Sequence, residues 1–388
     1  MRTMDAKAAA RTRVDAARST LVELSHRIHA HPELGFEEER AATWIAETLD
    51  AGGFRVQAGV CELPTAFLAR IGSGPLHVAI CAEYDCLPDL GHACGHNIIA
   101  ASAVGAGLAL AGVADDVGLT VTVVGTPAEE NGGGKILLLE RGAFAGVHAA
   151  MMVHPAPLDL VEPATLAFQQ FDVHYHGKAA HASAFPEHGV NAGDALTIAQ
   201  TAIGLLRQHL RAGDRVHGIV LRGGEAPNVV PAHTAAQYVV RARSLAELGV
   251  VRDKVMRCFE AGALATGARL ELANEQLAYA AVAHDPGIAA LYRRNALALG
   301  RTLPDLGPMA ERFAGSTDMG NVSLAIPSIH PTIGLDSFPA VNHQPEFAAH
   351  CATPVADRAV VHGALAMAWT AIDLASDADE RDRLLGRA

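Results

Sequence analysis

The segment Cys81-Ala-Glu-Tyr-Asp-Cys-Leu-Pro-Asp-Leu-Gly-His-Ala-Cys-Gly-His96 carries three carboxylates, two histidines and three cysteines in sixteen residues. It lies between two strongly apolar stretches, His77 to Cys81 and Ile98 to Ala114, which read as a buried strand and a buried helix. The fold therefore has to hold a ligand-rich turn at the edge of a core, and folding alone gives no reason for that density. Thiolate, imidazole and carboxylate together are the donor set of a zinc-like or manganese-like dication, and Cys94 and His96 can reach one ion from a single tight turn at Gly95. A Cys-x-His pair alone is a weak signal. It gains weight from Thr126-Pro-Ala-Glu-Glu130, which follows a Val-rich strand pattern, and from His154 and His343 in strand-end or loop contexts.

At 388 residues, half of them apolar, the chain is expected to form two domains of an enzyme-sized globular protein. A net charge of -12 with no long basic run argues against nucleic acid or an anionic membrane as the main partner. The six cysteines, at 61, 81, 86, 94, 258 and 351, show no disulfide-scaffold spacing, and Met-Arg-Thr-Met-Asp-Ala-Lys at the start has no apolar signal core. The expectation is a cytoplasmic, reduced protein in which every cysteine but Cys94 is a small core residue. Ile98 to Ala114 approaches membrane-span length, but its Ala, Gly and Ser content reads as a buried helix that anchors the ligand turn.

Helical periodicity covers 15–29 and 37–51, and Gly52-Gly53 ends the second helix. Apolar runs at 65–71, 77–81 and 119–125 then alternate with the Ile98 helix and a helix over 134–142, which predicts a mostly parallel sheet covered on both faces. Residues 149–154 form the next predicted strand, with His154 at its carboxyl end. From 167 the pattern becomes strand (167–176), helix (190–210), strands (216–222, 236–243), helix (245–265) and strand (269–273), the split βαβ order of a ferredoxin-like domain. Residues 164–276 thus read as an inserted α+β domain that splits an α/β catalytic domain into 1–163 and 277–388. The charged tail after Ala375 is expected to fray.

The ordered set Asp85-x-Leu-Pro, His92-Ala-Cys-Gly-His96, Pro127-Ala-Glu-Glu130, His154, Gly177-Lys-Ala-Ala-His181 and Asn342-His-Gln-Pro345 resembles the aminoacylase and carboxypeptidase G family of dinuclear metallo-amidohydrolases. The likeness spans nearly the whole chain. The Cys-Gly-His turn looks closest to the branch of hippurate and auxin-conjugate hydrolases. Gly315-Ser-Thr-Asp-Met-Gly-Asn-Val-Ser323 is similar to the aminobenzoyl-glutamate hydrolases and β-alanyl-lysine type dipeptidases, the aminoacylase-1-like subgroup.

The resemblance implies two divalent metal ions, zinc, manganese, cobalt or nickel, held by Cys94, His96, Glu130, His154 and His343. It makes Glu129 the base for a metal-activated water and Asp85 the group that orients a ligand. His181 would stabilise the oxyanion in a partner subunit's site, which implies a homodimer, and Asn228 and Arg241 would bind the amide or carboxylate end of the substrate. Ser316, Thr317 and Asp318 would line the pocket. Glu83 stands where other branches place a ligand histidine, so a metal role for it stays open. The expected activity is hydrolysis of the amide of an N-acyl amino acid, a p-aminobenzoyl-glutamate-like conjugate or a dipeptide, a small substrate with a free carboxylate.

Two rival readings remain from the residues alone. Cys94 with His92 or His96 as base would suit a cysteine hydrolase, and the same fold without turnover would suit a carboxylate-ligand-binding or assembly module. Glu130-Asn-Gly-Gly-Gly-Lys135 lacks the P-loop spacing and the Ser or Thr that follows it, so it is not a nucleotide cradle.

Overall fold

The structure, a computed structural model, describes residues 2–307 and 314–386. The chain divides into two compact units, Met1–Ala164 with Val282–Ala388, and Thr165–Ala281. The second unit runs to 281 rather than ending at 276 because Phe168 and Tyr279 exchange two backbone hydrogen bonds at 2.9 Å, which makes residues 277–281 a continuation of its sheet.

Unit 1 opens with α1 (Thr3–His29) and α2 (Glu39–Ala51), followed by β1 (Arg55–Ala58), β2 (Phe67–Gly72) and β3 (Leu76–Ala82). Then come α3 (His96–Ala111), α4 (Ala114–Val117), β4 (Leu119–Gly125), α5 (Gly134–Glu140), β5 (Ala149–Met151) and β6 (His154–Ala156). The sheet order is β1-β2-β4-β3-β5, with a last strand from beyond the insertion (Ser328–Ile329) beside β5. The pairs on either side of β3 and at that far edge are parallel, and only β1–β2 and β2–β4 are antiparallel. Every residue of β3 and of β4 is buried, as a strand covered on both faces requires.

His154 departs from its predicted place. The strand begun at Ala149 stops at Met151, and His154 instead opens β6, which pairs in parallel with Thr332–Gly334 in a separate two-stranded sheet. The residues after Ala375 also differ from expectation. The long helix Pro354–Ser376 is followed by a further helix, Ala378–Leu385, whose first N–H groups are capped by Asp377 and whose Arg383 pairs with Asp285 at 2.8 Å. A capped, ion-paired helix does not fray like a free tail.

Unit 2 contains β7 (Ala167–His176), α6 (Ala192–Leu206), β8 (Arg215–Arg222), β9 (His233–Ala242), α7 (Leu245–Thr266) and β10 (Arg269–Ala273). Its sheet order, β10-β7-β9-β8, is antiparallel throughout, which is the ferredoxin-like arrangement. Phe171, Val173 and Tyr175 of β7 face Phe259 of α7 in its core.

The core of unit 1 is a helical layer on the sheet. The helices α8 (Pro286–Ala298), α10 (Pro345–His350), α11 (Pro354–Ser376) and α12 (Ala378–Leu385) complete it, while α9 (Met319–Ala325) packs with α5 on the other face of β3, and β11 (Ser328–Ile329) and β12 (Thr332–Gly334) lie between α9 and α10 in the chain. By length and composition α11 qualifies as a membrane-crossing helix, but 89% of its apolar window is buried within the protein. It packs on α3 and α1. Small residues make this possible: a Cβ on Gly105 of α3 would lie 2.7 Å from Ala364 Cβ of α11 and 2.9 Å from Leu21 Cδ1 of α1. Replacing a mid-helix glycine by alanine ordinarily stabilises by about 1 kcal/mol. Here Gly105→Ala is expected to destabilise by about 1–3 kcal/mol, because rigid helices must separate. Urea unfolding decides the sign.

Candidate active site

The ends of two buried strands supply most of the site. β3 ends at Ala82, and the chain beyond it carries Glu83 and Asp85, both buried. The loop that follows closes on Gly95, whose φ of 77° starts α3. A Cβ there would sit 2.4 Å from Pro155 Cγ, so glycine alone permits both the left-handed turn and the approach of the His154–Pro155 segment. β4 ends at Gly125, and Ala128 beyond it has a φ of 56°. Two buried carboxylates hold this turn: Glu38 Oε1 accepts from the Ala128 N–H at 2.8 Å, and Asp85 Oδ2 accepts from the Glu130 N–H at 3.0 Å. His343, at φ 68°, is tied by its N–H to the Ala93 carbonyl at 2.8 Å.

Together these segments collect Cys94, His96, Glu129, Glu130, His154 and His343, with Glu83 beside them. Cys94 Sγ lies 3.4 Å from His154 Nε2, and His96 Nε2 lies 3.4 Å from Glu83 Oε2, 3.7 Å from Glu130 Oε1 and 3.9 Å from Glu129 Oε2. His343 Nε2 is 3.7 Å from Glu130 Oε2. Within this cluster, Cys94–His96–His154, Cys94–Glu130–His343 and Glu83–His96–Glu129 each bring three ligand atoms within 4.8 Å of one another.

These donors fit metal. Ligand bonds of about 2.0–2.3 Å at tetrahedral angles place neighbouring donors about 3.3–3.7 Å apart, close to the 3.4–3.9 Å seen here. His96 Nε2 and Glu130 Oε1 are buried with no hydrogen-bond partner among the described residues, which is costly unless something else occupies them. The opposite edge of each ring is held. His96 Nδ1 bonds Asp85 Oδ1 at 2.8 Å, and His154 Nδ1 meets the Pro155 carbonyl at 2.9 Å. A carbonyl only accepts, so His154 carries its proton on Nδ1 and presents a lone pair on Nε2.

The electrostatics agree with that fit. Burial brings His154 down to about 4, so the ring is neutral at pH 7 and ready to ligate. Burial opposes protonation of His96, but Asp85 and Glu83 outweigh it and hold the ring well above the usual imidazole range, the mark of a pocket that favours positive charge. Burial, followed by the charges of Glu83, Glu130 and Asp318, pushes Glu129 well above the usual carboxylate range, which raises its affinity for a proton.

Several expectations need correction or addition. Asp318 does not line an open pocket. It is wholly buried, with Oδ1 accepting from Lys135 Nζ at 2.6 Å and Oδ2 from the Lys135 N–H at 2.8 Å. Thr317 is also buried, and its Oγ1 accepts from Met319 N–H at the start of α9. Ser316 is half-buried. Among the cysteines, Cys61 is the exception to core placement, being half-exposed. Glu38 and Lys135 escape a reading of the sequence as part of this site, because neither belongs to a recognisable ligand motif.

In unit 2, His181 and Asn228 are exposed and brought together, the Asn228 carbonyl accepting from Ala182 N–H at 3.0 Å. His181 Nδ1 faces the Ser183 and Ala184 N–H groups at 3.4 and 3.3 Å. Arg241 stacks its guanidinium over Phe168 at 4.9 Å from the ring centroid.

The chain is similar to known proteins over most of its length. Residues 79–362 match the model of peptidase family M20/M25/M40. The chain is 39% identical over 385 residues to a mouse Xaa-Arg dipeptidase, covering 95% of this chain and 88% of that protein. It is 34% identical over 279 residues to a p-aminobenzoyl-glutamate hydrolase component of Escherichia coli K12, covering 66% of this chain and 58% of that protein. In fold it is similar to a crystal structure of a dinuclear metal-binding M20 peptidase from Bacillus subtilis, with a TM-score of 0.70 at 22% identity over 93% of this chain and 99% of that one. The chain belongs to peptidase family M20/M25/M40 and is a metal-dependent hydrolase of peptide and amide bonds.

Proposed function

We propose that this hydrolase works with two divalent ions held by Cys94, His96, Glu130, His154 and His343, and that it cleaves a dipeptide or N-acyl amino acid bearing a free carboxylate. The observation that carries the reading is the convergence of these side chains around His96 Nε2 and Glu130 Oε1, which have no hydrogen-bond partner among the described residues. Zinc, manganese, cobalt and nickel all suit a mixed thiolate, imidazole and carboxylate set. When bound, the ions supply Lewis-acid chemistry, polarising the amide carbonyl and making water a nucleophile near pH 7.

Glu129 takes the proton from the attacking water and returns it to the leaving amine, a role supported by its raised affinity for a proton and its place beside His96. Asp85 fixes the His96 ring through Nδ1 and the Glu130 backbone through its N–H. His181 donates to the tetrahedral oxyanion, a contribution of about 3 kcal/mol, and in this reading it does so across a homodimer. Asn228 receives the substrate amide, and the planar fork of Arg241 suits a carboxylate. The names of the relatives suggest two substrate classes to compare: dipeptides ending in arginine and p-aminobenzoyl-glutamate.

A thiol mechanism is disfavoured. Burial pushes Cys94 well above the usual thiol range, the opposite of the depressed value that makes a nucleophilic cysteine.

Elemental analysis after Cys94→Ala is expected to show reduced metal per chain, and unchanged content would remove Cys94 from the ligand set. Glu129→Gln is expected to keep the metal and lower kcat by about 10² to 10⁴, with full activity overturning its role as base. Chelation should abolish hydrolysis of both substrate classes, and added Zn²⁺, Mn²⁺, Co²⁺ or Ni²⁺ should restore it. Chelator-resistant turnover would return the cysteine mechanism.

A further inference from the structure

Lys135 sits at the first turn of α5, after a run of three glycines, and is wholly buried. Its ammonium lies 2.6 Å from Asp318 Oδ1, at the start of α9, and 2.6 Å from Glu83 Oε1, just beyond β3. Asp318 also accepts the Lys135 backbone N–H through its other oxygen, so this carboxylate grips the lysine at two points. Glu83 is used differently. Its Oε1 is paired by charge with the ammonium, neither of its oxygens has a hydrogen-bond partner among the described residues, and Oε2 points to His96 Nε2 at 3.4 Å, itself buried and unpartnered among them. Glu83, His96 and Glu129 bring their ligand atoms within 4.8 Å of one another.

A buried lysine between two buried carboxylates is a strained way to fill a core, since three apolar side chains would pack there without desolvating charge. The arrangement makes sense as a clamp. Asp318 fixes the ammonium, the ammonium fixes one edge of Glu83, and the other edge is presented to the hydrolytic centre.

We propose that Glu83 is a further metal-facing carboxylate of this centre, acting alongside His96 and Glu129, and that Lys135 and Asp318 are positioning residues that hold it there. This rests on the dimetal reading above. It assigns Glu83 a task distinct from the five ligands and the base, and it gives the glycine-flanked lysine a purpose unrelated to nucleotide binding. Glu83 supplies negative charge and a fixed oxygen, and no bond is made or broken at Lys135.

The test uses the whole chain, stripped of metal and titrated with Co²⁺, followed by calorimetry and the visible d–d absorption. Glu83→Gln keeps an oxygen for Lys135 while removing the charge. It is expected to weaken one Co²⁺ binding step by about 10- to 100-fold, alter the cobalt spectrum and lower kcat with little change in KM. The double variant Lys135→Met with Asp318→Asn removes one charge of each sign, so it keeps the net charge of the trio. It is expected to fold, as shown by circular dichroism and melting in chelator, and to reproduce the cobalt defect.

If Glu83→Gln binds Co²⁺ with the wild-type isotherm and spectrum, Glu83 does not face metal. If the double variant is folded and binds as wild type, the clamp is overturned. Failure of the wild-type protein to bind Co²⁺ at all would instead overturn the dimetal reading, and with it this proposal.

Discussion

Negative charge held out of water is the constraint on which the rest of the structure depends. Glu83, Asp85, Glu129 and Asp318 are buried, Glu130 exposes only 8% of its side chain, and they share one small region with the buried ammonium of Lys135. Carboxylates gathered in this way repel one another and lose hydration, an arrangement that persists only with cations or protons to balance it. Lys135 meets part of that demand and the proton-accepting tendency of His96 meets another. Divalent ions suit the remainder, which is why metal dependence follows from the interior of unit 1 as well as from its relatives.

The fold can hold such a cluster because of where its strands end. β3 and β4 are neighbours in the parallel part of the sheet, and the chain leaving each carries acidic residues: Glu83 and Asp85 from one, Glu129 and Glu130 from the other. Ligands in open α/β sheets gather beyond the carboxyl ends of the strands for this reason. The apolar helix α3 begins on His96 itself, so the His96 ring is fixed to a helix buried along almost its whole length. Asp85 then joins the two loops, one oxygen on His96 and the other on the Glu130 backbone.

Much of this is legible in the chain. The Cys94-Gly-His96 turn and the Glu129-Glu130 pair sit in short contiguous motifs, and the strand pattern before each is strongly apolar. The split βαβ order is readable because strand and helix periods alternate cleanly between 167 and 273. What stays hidden depends on distance or on weak local pattern. Lys135 and Asp318 are 183 positions apart, and nothing near either residue announces the other. β1 is short and largely exposed, so it has no alternation of apolar residues to mark it. Residues 3–14 give little periodic signal because their apolar residues are mostly alanines spread around the helix: Ala6, Ala10 and Val14 form a narrow buried stripe whose effect appears only on packing.

The helical layer of unit 1 carries a further consequence. Leu21, Leu24 and Ile28 of α1 are buried in a layer built with α3 and α11, and α11 consists of residues 354–376. A ribosome makes α1 long before α11, with the whole inserted unit in between. During that interval the nascent chain holds an apolar helix face without its partner, and His154 waits in the same way for His343. Unit 2, whose core closes within its own span, can fold while this wait continues. Unit 1 thus closes neither its helical layer nor the cluster of Cys94, Glu130 and His343 until the segment from His343 to Ser376 has emerged.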